Sequence, residues 1–583
     1  MKHGCASLAI GFAIFLAGVP LTAQAPTPPQ GATQPGPPVP RMQMPPRDGV
    51  VEAPTGTGRI RGRVVAADTG APLRRAQVRL SAAEVRVNRS ATTDAEGRYE
   101  FSDLPAGRYN VSVSRSGFVS LSFGQQRPFE QGRPLDLGNA QQADKIDFAL
   151  PRGGVIAGRI TDELGEPLAA VRVQAMRYQY LPNGRRQLTP VSGGFFGLVT
   201  NDLGEFRLYS LMPGTYVVSA TPADIMMMMP AGTAGPASVS APDDGHGITY
   251  YPGTINVDEA QSITVGLADV SNASFALVPQ RMTRITGVVR NSQGKPFATT
   301  LALRTQAGAG MSMRMLAMSG SDGRFTASNV PPGEHSIEVS PRPGEEEFAS
   351  VPITAGGQDL ADLLITTSPG VTVSGQVSFE GVAPPEKTLR VNATSPEPGA
   401  PGPMRIFDNT QGVIDEKGRF QLRGLAGRLM FTVFPAAPTG PPTWFVKSVT
   451  FNGENITDVP LDVAAVTDGS SLQIVMTDKQ TTLSGTVRNT RGQPVIDYTV
   501  VIFPSQLREG AMPGRYTRVV RPDQQGRFET RGLPPGDYLA AAVESLEQGG
   551  QWDPAFRKQV EPAAKRFRLT EGQAATVDLT LTP

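Results

Sequence analysis

The sequence predicts an all-β chain of about five tandem β-sandwiches, preceded by a leader peptide and a proline-rich linker. Three observations predict it. One block pattern recurs five times between Arg59 and Pro583, at intervals of roughly 90–130 residues. Each block holds short runs of alternating apolar and polar residues separated by turn signals, the period of strands with one buried face. Gly (64) and Pro (53) make up about a fifth of the 583 residues, a composition of many turns and little helix.

At the N-terminus, Lys2 and His3 precede the apolar run Leu8–Val19, and small residues follow at Ala23-Gln24-Ala25. That order predicts a signal peptide, residues 1–23, and the run is too short to span a membrane. Pro26 disfavours a cut after Ala25, so cleavage is expected after Ala23. Cys5 is the chain's one cysteine and lies in the leader, so the exported protein is expected to hold each module by its core and not by disulfides. Residues 24–58 include Pro-Gly-Pro-Pro-Val-Pro and carry few apolar side chains, which predicts a disordered linker.

From Arg59 onward each unit opens on a strand around one glycine: Gly62, Gly158, Gly287, Gly375 and Gly485. A Gly-x-Pro turn follows in four units, at Gly70, Gly165, Gly294 and Gly492; the fourth has Gly381-Val-Ala-Pro-Pro385 instead. Next come an Asp, a Gly and an aromatic: Asp94 to Tyr99, Asp202 to Phe206, Asp322 to Phe325, Asp415 to Phe420 and Asp523 to Phe528. Asp bonds its own backbone and Gly takes a positive φ, so these predict tight turns. A corner then precedes another strand: Leu104-Pro-Ala-Gly-Arg-Tyr109, and its counterparts ending at Tyr216, His335, Leu429 and Tyr538. The Tyr is expected to send its hydroxyl back to the backbone, as in a tyrosine corner. The implied modules are 59–152, 153–281, 282–369, 370–479 and 480–583. One short helix is expected after Asp553-Pro554, a good N-cap and first-turn pair, inside the last unit.

These motifs carry a resemblance. The pattern G-x-V, G-x-P, T/S-D-x-x-G-x-F and L-P-P-G-x-Y resembles the carboxypeptidase regulatory-like domain, an Ig-like, transthyretin-like seven-stranded sandwich. Four of the five units match well, over roughly residues 59–583; the fourth lacks the Gly-x-Pro turn and the Tyr. Leu150-Pro-Arg-Gly-Gly154 and Tyr250-Tyr251-Pro-Gly-Thr resemble recurring segments of large secreted bacterial proteins with tandem copies. The resemblance implies an accessory module beside peptidases, or a repeat in surface proteins and outer-membrane receptors. It also implies kinship with starch-binding-like, carbohydrate-binding folds.

The charge count, 54 basic against 53 acidic, offers no basic stripe for nucleic acid. His335-Ser-Ile-Glu338 has the spacing of two zinc ligands, but no further His follows, and a strand sends residues three apart to opposite faces. His335 also stands where sibling units carry the corner Tyr. The Asp turns offer too few carboxylates for a calcium loop. Met226–Met229 and the run Met311, Met313, Met315 and Met318 could hold Cu(I), yet soft packing is the simpler reading. His246 has no Gly-x-Ser-x-Gly elbow to serve. No catalytic residue, metal or cofactor is therefore expected. For sugar stacking the non-repeated aromatics are Tyr250, Tyr251, Trp444 and Trp552, each more simply read as packing.

The expected function is a non-catalytic, extracellular or periplasmic structural or binding protein. Its partner would be an envelope protein or a polysaccharide, with no nucleic acid and no membrane span in the mature chain. A dedicated carbohydrate-binding protein is the alternative.

Overall fold

The computed structural model describes residues 56–582, except 83–84, 86, 192–197, 223–243, 308–309, 340–346, 382–388, 397–410, 436–443 and 468–470. The expected signal peptide and nearly all of the linker lie outside the described residues.

The opening strand sits at the middle of its sheet in every unit. In the first unit Gly58–Ala66 runs antiparallel to Arg98–Leu104 and parallel to Gln142–Ala143 and Phe148–Leu150. Gly154–Thr161, Thr283–Arg290, Val371–Glu380 and Thr482–Arg488 repeat this: antiparallel to the strand after the Asp turn, parallel to a strand near the unit's end. A parallel neighbour requires a long return connection, and the second sheet of the sandwich supplies it. In the first unit that sheet pairs Gln77–Ala82 with Val87–Thr92 and with Gly107–Ser114.

Alternation then fills one interior per unit. Along Gln77–Ala82 every second residue is buried, so Val78 and Leu80 meet Ile60, Val64 and Tyr109 between the sheets. The other four main interiors centre on Ile156 and Val173, Ile285 and Leu303, Val373 and Leu422, and Leu483 and Val500. At roughly 1.5–3 kcal/mol per fully buried large apolar side chain, each cluster is the main apolar contribution to the stability of its own unit.

Two strands depart from alternation. Gly214–Thr221 and Gly536–Val543 are buried at nearly every residue, because both their faces are covered. In the second unit Ile248 and Val257 cover Met176, Leu188 and Val217. In the fifth unit Val560 and Phe556 of the helix Pro554–Val560 cover Val501, Phe503 and Leu539. That helix begins as expected: the Asp553 side chain accepts from the Ala555 N–H, and Pro554 fills the first turn.

Neighbouring units touch directly. The Gly117 N–H donates to Ser210 Oγ at 3.0 Å between the first and second. The Tyr516 hydroxyl donates to Asp458 at 2.5 Å between the fifth and fourth. The fifth unit also packs on the first, where Gln548 N–H donates to the Phe129 carbonyl at 3.0 Å.

Candidate functional site

The repeated polar residues act inside their own units. Each opening glycine faces an aromatic across the ladder: Gly62 and Tyr99, Gly158 and Phe206, Gly287 and Phe325, Gly375 and Phe420, Gly485 and Phe528. A Cβ at Gly62 would overlap the Ile146 carbonyl oxygen, and one at Gly485 the Val577 oxygen. Glycine there lets the last strand approach while the ring covers the gap.

At the corner the Tyr109, Tyr216 and Tyr538 hydroxyls donate to the carbonyls of Pro105, Met212 and Pro534, at 2.6, 2.5 and 2.6 Å. Burial pushes the Tyr109 and Tyr216 phenols up to about 12. His335 does the same job with its ring. Its Nε2 lies 2.7 Å from the Pro331 carbonyl, which only accepts, so Nε2 carries the hydrogen and Nδ1 accepts from the Thr305 hydroxyl at 2.9 Å. Glu338 has other partners: it pairs with Arg304 at 2.6 Å and accepts from Ser336 and Ser350, each at 2.8 Å. His335 and Glu338 therefore share no ligand-binding face.

The Asp turns form as expected in three units. Asp94, Asp415 and Asp523 each accept from the N–H groups two and four residues on. The Arg98 and Arg419 N–H bonds hold the Asp94 and Asp415 carboxyls below the usual carboxylate range. Two units correct the sequence reading. Asn201, not Asp202, accepts from Leu203 and Glu205, since an amide oxygen serves the turn equally well. Gly320 holds that place in the third unit, and Asp322 accepts from the Arg324 N–H two residues on.

The other singled-out residues lie apart. Tyr250 is buried beside Met176, Leu188 and Val217, and its hydroxyl has no hydrogen-bond partner among the described residues. Burial pushes that phenol up to about 12. Tyr251 meets the Phe275 ring edge-on at 5.9 Å, against the second unit's main interior. Trp444 meets Phe379 edge-on at 5.1 Å, half-buried on the fourth interior. Trp552 lies under the Arg557 guanidinium at 5.5 Å, in the short turn before the helix. His246 Nε2 is 3.0 Å from the Glu163 carboxylate, whose pKa this contact lowers. Met315 and Met318 are exposed on the strand Gly310–Met318, whereas Met226–Met229 lie outside the described residues.

A shallow cleft opens where the fourth and fifth units meet, lined by Phe445, Lys447, Lys479, Arg515 and Glu571 among others. Lys447 bridges Glu380 at 2.6 Å and Glu571 at 2.9 Å, so its ammonium is held above its usual pKa and the Glu571 carboxyl below its own. Sequence reading had no signal for this cleft, because its lining comes from segments up to 126 residues apart.

Comparison with known proteins bears on the first unit. The family model of the carboxypeptidase regulatory-like domain matches residues 59–150. No curated protein matches the chain. Among solved structures, a streptococcal ancillary pilin is 12% identical over 53% of this chain and 98% of its own, with a TM-score of 0.20. The minor pilin of Streptococcus agalactiae is 12% identical over 38% and 95%, TM-score 0.21, and the major pilin BcpA of Bacillus cereus 10% over 52% and 99%, TM-score 0.14. Overlaps this loose carry no argument about function. The glycine–aromatic pair, the Asp turn and the tyrosine corner all lie within residues 59–150, the stretch that matches the carboxypeptidase regulatory-like domain, the first unit of a tandem all-β chain.

Proposed function

We propose that this is a non-catalytic protein of the periplasm, outer-membrane surface or extracellular space, exported by the leader at residues 1–23. Its modules, bounded at 59–152, 153–281, 282–369, 370–479 and 480–583, act as spacers and as docking surfaces for an envelope protein or a polysaccharide. The use of His335 carries this reading. The residue that most resembles a metal ligand closes a corner through Pro331 and Thr305, as tyrosines do in three sibling units. Exposed loops and strand edges are what remains for recognition.

The test is capture from envelope extract with the mature chain as bait, beside a glycan array and an activity screen. A specific envelope protein retained at physiological salt supports the proposal. Glycan binding lost on Trp552→Ala or Tyr251→Ala transfers the function to carbohydrate recognition. Turnover that persists through repurification, and follows the chain on a sizing column, overturns it.

A further inference from the structure

Between the short strands Leu121–Ser122 and Leu135–Leu137, the first unit carries a loop, residues 123–134, that meets the fifth unit. Its centre is Glu130. One carboxylate oxygen accepts from the loop's own Gln126 and Arg127 N–H groups, at 3.0 and 3.2 Å, which fixes the side chain within the first unit. The other oxygen takes the guanidinium of Arg521 from the fifth unit. These two side chains are 2% and 1% exposed and lie 391 residues apart in sequence. Arg521 also binds Asp497 at 2.6 Å and the Gly124 carbonyl at 3.3 Å.

The surrounding contacts are polar on both sides. Glu130 and Glu547 form an isolated antiparallel bridge. Gln524 accepts from the Asp136 N–H at 3.2 Å and donates to the Asp136 carbonyl at 3.3 Å. Arg133 donates to the carbonyls of Pro522 and Asp523. Arg127 pairs with Glu544 at 3.1 Å. The second unit joins in: Arg177 stacks 3.4 Å over the Phe129 ring and pairs with Glu547 at 2.9 Å.

The first and fifth units complete their apolar interiors without this contact, while Phe129 of the loop packs on the second unit's interior. The first and fifth units can therefore part without opening the core of either, whereas a buried charge that loses only its partner is strongly unfavourable. The tether keeps the two surfaces at high effective concentration, which favours docking within one chain. We propose that the 123–134 loop and the fifth unit form an intramolecular clasp, locked by Glu130 and Arg521, which opens and closes while the sandwiches stay folded. This does not depend on what the protein binds.

The test uses the full chain with Cys5→Ser, Arg127→Cys and Glu544→Cys, treated with a short bis-maleimide. A fast intrachain crosslink is expected. Adding Arg521→Ala or Glu130→Gln should slow it about tenfold or more, given the cost of breaking a buried pair, with the far-ultraviolet spectrum unchanged. If either variant loses its β spectrum, Arg133→Ala with Gln524→Ala decides, since those side chains serve no interior, and several-fold slowing is expected. Crosslinks only between copies, or a rate indifferent to these substitutions in folded protein, overturn the clasp.

Discussion

Single residues here are repeated because one geometry is repeated. The Gly62–Tyr99 pair illustrates it: the Tyr99 hydroxyl donates to the Ile146 carbonyl at 2.6 Å, the same carbonyl that leaves no room for a Cβ at Gly62. Gly62→Ala or Gly485→Ala is expected to destabilise its unit by about 2 kcal/mol or more through overpacking against main chain, read by thermal denaturation. A wild-type midpoint in Gly485→Ala would remove the close-approach explanation. At the corner, Tyr109→Phe should cost about 1 kcal/mol, one net hydrogen bond. The corner also sets an alkaline limit. An unfolded phenol ionises near pH 10 and the folded Tyr109 and Tyr216 near 12, so their folded pKa is raised. Their contribution is therefore full below about pH 10 and is lost as pH rises toward 12. A denaturation series across that window should show the loss, smaller in the Tyr109→Phe variant.

Elements were read from two signals, period and turn chemistry, and each has its limits. Alternation located strands such as Gln77–Ala82, whose one buried face is plain in the sequence. It cannot say what covers the second face of Gly214–Thr221 or Gly536–Val543, although their runs without a charged residue, Tyr216-Val-Val-Ser-Ala and Tyr538-Leu-Ala-Ala-Ala-Val, mark that something does. Turn chemistry was legible where Asp holds the capping place and misread where Asn201 or Gly320 does, because an Asp follows one residue after Asn201 and two after Gly320. The correction is testable. Asn201→Ala should cost about 1 kcal/mol and Asp202→Ala almost nothing, in chemical denaturation of the second unit. Asp553→Ala should cost about 1 kcal/mol by removing the N-cap of Pro554–Val560, measurable the same way.

Across the whole molecule, five interiors predict more than one cooperative transition. Calorimetry should give a van 't Hoff enthalpy well below the calorimetric one, as expected when units unfold separately. One sharp two-state transition would contradict that. Substitution of Arg521 should shift the transitions of the first and fifth units together and leave the third unmoved, because only those two share its buried contact. The aromatics singled out for stacking, Tyr250, Tyr251, Trp444 and Trp552, were conspicuous because they fall outside the repeat. Their surroundings were not legible, since Met176, Phe275, Phe379 and Arg557 are brought to them by folding.

The sequence alone determined the fold class, the opening glycines, the corner tyrosines and the capped helix Pro554–Val560. The strands, corners and helix rest on neighbours within a few residues or on a period of two, and the glycines stand out because the repeat returns them five times. Only the tertiary structure decided what lies over the doubly buried strands and that Glu130 meets Arg521. The physical reason is range: a hydrogen bond to the next turn is written in adjacent residues. A buried ion pair between units has partners 391 residues apart and leaves no local pattern to read.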